Sequence, residues 1–107
     1  MGSKYDNKLW NIIARTGGSV KVTIASNVGQ GNGGTSLPCR GCWVCPEAAN
    51  TGHIHMNICA DATANLGIEL SDSDQGGPLW VPISDVSSLY FYGASDNDVV
   101  HITYLAG

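Results

Sequence analysis

At 107 residues the chain has room for one hydrophobic core, since two independent cores of half this length would each be marginal. Nine acidic against five basic residues give a formal net charge of −4, and the scatter of Lys4, Lys8, Arg15, Lys21 and Arg40 excludes the clustered positive surface that nucleic-acid binding requires. No apolar run approaches the ~20 residues of a membrane span, the N-terminus lacks a secretory pattern, and only 13% of residues are charged while fourteen are glycine, against ~25% charged in ordinary domains.

These features predict a soluble chain made in the cytosol, built of short strands and turns, with surface buried against other subunits. In chain order, residues Met1 to Gly18 carry one apolar patch at Leu9, Trp10, Ile12 and Ile13. They are expected to form a short helix or a terminal arm docked on a neighbour, leaving 19–107 as a single folded domain. From Ser19 to Ile24, Val20, Val22 and Ile24 alternate with Lys21 and Thr23, the period-2 signature of a half-buried strand. Ser26 to Pro38 is rich in Gly and Asn without apolar periodicity and reads as a long loop.

Cys42 to Ala48 reads as a strand, Asn50-Thr51-Gly52 as a turn, and His53 to Cys59 as the strand returning beside it in a hairpin. In the returning strand Ile54, Met56 and Ile58 are expected to face the core, with His53, His55 and Asn57 on the opposite face. Leu66 to Leu70 offers another short strand, Ser71 to Gly77 an acidic turn, and Leu79 to Ile83 a segment that Pro82 places at a sheet edge or strand end. Ser88 to Tyr92 and Val99 to Leu105 complete the set, with Asp96-Asn97-Asp98 as the turn of a second hairpin. About seven antiparallel strands without an amphipathic helix predict an all-β fold, a single β-sandwich of jelly-roll type.

All four cysteines, with two of the three histidines, fall between Cys39 and Cys59. Cys39, Cys42, Cys45 and Cys59 would supply four thiolates to zinc, but extended structure turns Cys42 and Cys45 to opposite faces. A hairpin centred on Asn50 to Gly52 instead places Cys59 opposite Cys39 or Cys42, in a disulfide or as packed thiols; the register is left open. His53, His55 and Cys45 across that hairpin would form a mixed site, against the ordinary alternative of surface histidines. Asp72 and Asp74, and Asp96 and Asp98, have spacings compatible with calcium, but the EF-hand pattern is absent and solvated turns are the simpler expectation. Trp43, Trp80, Tyr90, Phe91, Tyr92 and Tyr104 would suit a sugar-binding face, or core and interface packing. No motif specifies a nucleophile, an orienting group and a pocket together, so neither an enzyme nor a cofactor is expected.

The segments Cys39-Arg-Gly-Cys42-Trp-Val, Asn50-Thr51-Gly52-His53-Ile, Leu79-Trp-Val-Pro-Ile83-Ser-Asp85-Val-Ser-Ser-Leu89-Tyr-Phe-Tyr-Gly93 and Asp98-Val-Val-His-Ile102-Thr-Tyr104-Leu resemble small virion proteins of tailed bacteriophages. The resemblance spans about Leu37 to Leu105, and the chain departs from the pattern at Cys42 and Cys45, where aliphatic or small residues are usual. It implies a β-sandwich that decorates a capsid or belongs to a tail or fibre, and it carries no catalytic residues. The resulting expectation is a capsid decoration or cement protein, assembled in the host cytoplasm onto the outer capsid surface, with the major capsid protein as partner and a homo-oligomer, a trimer, as its form. A tail or fibre module binding a host receptor and a small zinc-binding regulator are the alternatives.

Overall fold

A computed structural model of the chain describes residues 17–70 and 77–106. Within them lie eight strands: β1 (Gly17–Thr23), β2 (Val28–Gln30), β3 (Gly41–Pro46), β4 (Ile54–Ile58), β5 (Ile68–Leu70), β6 (Leu79–Val81), β7 (Leu89–Gly93) and β8 (Val99–Leu105). The only helical segments among the described residues are two 3-10 turns, Gly31–Gly34 and Val86–Ser88, and these residues contain no helix long and apolar enough to cross a membrane.

All ladders are antiparallel, in two four-stranded sheets of order β1-β8-β3-β6 and β2-β7-β4-β5. The pairs are nested: β1 with β8, β2 with β7, β3 with β6 and β4 with β5. Nested pairing of this kind arises when one long antiparallel hairpin is wound over itself into two sheets, which is the jelly roll. The all-β sandwich read from the sequence is therefore present, with one more strand than the seven expected.

Alternation builds its core. Val22, Val44, Val100 and Ile102 of the first sheet face Ile54, Met56, Leu89 and Phe91 of the second, each no more than 4% exposed. Ile24, Cys39, Val86 and Leu70 close the ends of the same cluster. Pro78 and Pro82 flank β6 at a sheet edge, as Pro82 predicted, because a residue without an N–H is tolerated where no further strand has to be paired.

Four expectations are corrected. The segment 26–38 is not one loop, since β2 lies within it; its middle residue, Gly29, reveals nothing by periodicity because a Cβ there would sit 2.8 Å from Val22 Cγ1. Neither predicted hairpin exists: β3 and β4 lie in different sheets, as do β7 and β8. Turn residues mark where the chain reverses, but alternating strands satisfy their burial equally well on either sheet. Ile58 is 42% exposed rather than in the core, because it ends β4 at the rim, where Cys59 turns out of the sheet with φ 61°. Finally, β1 starts at Gly17, paired with Leu105, two residues before the expected strand. Residues 1–16 of the arm expected over 1–18, and the acidic residues Asp72 and Asp74, lie outside the described residues.

Candidate functional site

The jelly-roll topology disperses the cysteines. Cys39 and Cys42 point inward and are buried, Cys45 lines the outer face of the first sheet, and Cys59 is exposed beyond the end of β4 in the second. Its N–H donates to the carbonyl of Ser88 at 2.7 Å. Cys59 is therefore not opposite Cys39 or Cys42 across a hairpin, and all three are thiols. Among the described residues no three His, Cys, Asp or Glu side chains are grouped to hold a metal ion. Burial, with a weaker contribution from the neighbouring Cys39, pushes the Cys42 thiol up to about 11. Burial also raises that of Cys39, whose Sγ lies 3.4 Å from the carbonyl of Ile83.

The histidines separate in the same way. His53 Nδ1 lies 3.1 Å from Glu69 Oε1 at an exposed position, and His55 lies on the second sheet, in register with Tyr92 and Glu69. Neither shares a sheet with Cys45, so the mixed site expected across the hairpin does not form. Cys45 instead stands opposite His101 on β8, and His101 Nε2 is 2.8 Å from Glu47 Oε1. Sequence distance concealed this thiol, imidazole and carboxylate neighbourhood, which depends on the β3–β8 register.

Asp98 is a structural acceptor. Buried to 5% exposure, it accepts hydrogen bonds from the N–H groups of Thr51 and Gly52, each at 3.0 Å, and from Thr51 Oγ1 at 3.3 Å. Asp96 Oδ1 faces the Asn27 N–H at a long 3.4 Å. Asp85 caps the second 3-10 turn and accepts from Leu37 N–H, Ser36 Oγ, Ser87 N–H and Ser87 Oγ. The bond from Leu37 is the main reason its carboxyl is held well below the usual carboxylate range, with the serines adding to it. An Asp followed two residues later by Ser is a readable local capping signal, but its bonds to Ser36 and Leu37 are tertiary.

The aromatics are divided between layers. Phe91 is buried and Tyr104 packs against the core. Trp43 and Trp80 face each other across the β3–β6 ladder on the outer face of the first sheet, with ring centroids 5.0 Å apart and planes inclined by 60°. They remain 46% and 38% exposed. The Trp80 ring leans over Gly41, where a Cβ would meet it at 2.5 Å, so glycine at that position lets the indole lie on the sheet. Trp43 borders a groove of about 440 Å³ with Cys45, Pro78, His101 and Thr103. Exposed Leu105 on the same face extends the apolar surface. Tyr90 and Tyr92 lie on the outer face of the other sheet, bordering a second groove of about 450 Å³.

No known family, curated protein or solved structure was found to match the chain.

Proposed function

We propose that the chain is a virion structural protein of a tailed bacteriophage, a capsid decoration or cement protein that binds the outer capsid surface across subunit boundaries. The observation that carries this reading is the exposed Trp43 and Trp80 pair on a continuous strand face. Tryptophan is the residue most enriched where protein interfaces concentrate their binding energy, and a rigid sheet presents it with little ordering cost. The low charge of the chain fits the same role.

In this mechanism the face of the β1-β8-β3-β6 sheet contacts the major capsid protein, and a homotrimer bridges neighbouring capsomers. Separating capsomers then requires several attachments to break together, so modest individual contacts add to strong retention. The test is addition of purified protein to expanded empty capsids. Wild type is expected to raise their resistance to heat and chelators, and Trp43→Ala with Trp80→Ala is expected to lose attachment while keeping the fold. Unchanged capsid stability with wild-type protein would end this reading. A position at the tail tip in electron micrographs would replace it with a tail or fibre module.

A further inference from the structure

The groove on the opposite side of the sandwich differs in chemistry from the tryptophan face. We infer that it is a binding site for a neutral saccharide, with Tyr90 and Tyr92 as the stacking surface and Asp61 as the hydroxyl-binding group. The two tyrosines stand two apart on β7 and so share one face, about 7 Å apart along the strand. Both are half-buried, which holds the rings in place while leaving a face accessible. An aromatic face carries partial negative charge and attracts the polarised C–H bonds on the apolar side of a pyranose ring.

The walls supply polar groups that are already fixed. Gln30 on β2 is anchored by donation from Nε2 to the Ser87 carbonyl at 2.7 Å, which leaves the amide oxygen as an acceptor. The opposite wall is the loop after β4. It is pinned by Asn57 Nδ2 donating to the Asp61 carbonyl at 3.1 Å, by the paired Thr63 and Leu66 backbones, and by buried Ala62. The Asp61 side chain is exposed at the groove, and two carboxylate oxygens match the donors of neighbouring sugar hydroxyls. A site whose walls are ordered before binding loses less entropy when it is occupied.

Charge selects the occupant. Among the described residues Asp61 is the only charged one lining the groove and no lysine or arginine lines it, so sialylated or phosphorylated glycans are repelled and an uncharged sugar is accepted. The groove volume lies in the range of small-molecule sites. This inference is independent of where on a virion the sandwich sits, because the groove and the tryptophan pair lie on opposite sheets.

The test is titration of the full chain, followed by saturation-transfer NMR, with the methyl glycosides of glucose, galactose, mannose and N-acetylglucosamine, and with sialyllactose as the anionic control. At least one neutral glycoside is expected to bind, and sialyllactose is not. Tyr92→Ala is expected to weaken binding about tenfold or more. Asp61→Asn, an exposed loop change that leaves the fold intact, is expected to do the same, and Trp43→Ala is expected to leave it unchanged. Absence of binding by every neutral glycoside would overturn the assignment, as would binding that survives Asp61→Asn in a folded protein.

Discussion

The carboxamide of Asn50 exchanges two hydrogen bonds with the backbone of Val99, donating from Nδ2 to its carbonyl at 2.9 Å and accepting at Oδ1 from its N–H at 2.8 Å. A side chain thus occupies the place of a strand partner at the start of β8. Beside it, Asp98 accepts the N–H groups of Thr51 and Gly52. The Asn50-Thr51-Gly52 turn and the Asp98-Val99 step therefore form one polar latch between the sheets.

Asn50→Ala is expected to destabilise the fold by about 1–3 kcal/mol, because the Val99 N–H loses its acceptor at a part-buried site while the Val99 carbonyl keeps only the Glu47 N–H. Asp98→Ala is expected to cost about 2–4 kcal/mol, since it leaves two turn N–H groups without their charged acceptor. The double variant should be less destabilised than the sum, because the two residues act on one turn. Urea denaturation of the three variants checks this, and strict additivity would mean that the latch is not a unit.

Asp85 predicts the acid limb of stability. Its carboxyl titrates below the ordinary value because four donors hold the charged form, the Leu37 N–H foremost. A depressed folded pKa contributes stability that is present above the unfolded value, near ~3.9, and is lost as pH falls through that region toward the folded value. Asp85→Asn should therefore be less stable than wild type at pH 7, with the difference shrinking below about pH 4. Melting curves between pH 2 and 7 decide it; a constant difference across that range would contradict the assignment.

Cys42 predicts the alkaline limb. Burial favours its neutral thiol and raises its pKa from the ordinary 9.0 to about 11. The resulting stability is complete below about pH 9 and declines as pH rises from there toward 11. Cys42→Ala should flatten that decline while costing about 1 kcal/mol at neutral pH for the small cavity. Thiol labelling followed by mass spectrometry adds a second readout. Exposed Cys59 should react at once, and buried Cys39 and Cys42 only on unfolding.

Strand phase in β4 is tested by two substitutions of one kind. Met56→Asp places a charge in the core at a position 1% exposed and is expected to cost more than about 4 kcal/mol, unfolding the domain. Ile58→Asp, at a position 42% exposed, is expected to cost less than about 1 kcal/mol. Equal losses in melting temperature would place Ile58 in the core after all.

Local pattern determined what local physics controls. The alternation of Val20, Val22 and Ile24 and of Ile54 and Met56 marked strands and their inward faces, and the β7 and β8 segments were legible as strands, because a strand must hide one face wherever it pairs. Low charge, abundant glycine and the absence of helical periodicity made an all-β sandwich legible. Pro82 marked an edge, because the missing N–H is a property of the residue itself.

Only tertiary structure decided which strands are neighbours. Asn50-Thr51-Gly52 and Asp96-Asn97-Asp98 announce reversals of the chain, yet each reversal carries it to the other sheet, and no local residue distinguishes a hairpin from a crossing. That single ambiguity dispersed the cysteines, placed Cys45 beside His101, joined Asn50 to Val99 and gathered Gln30, Asp61, Tyr90 and Tyr92 around one groove. Periodicity is set by the backbone within a strand, whereas sites are set by register and layering between strands distant in sequence, where burial is satisfied collectively.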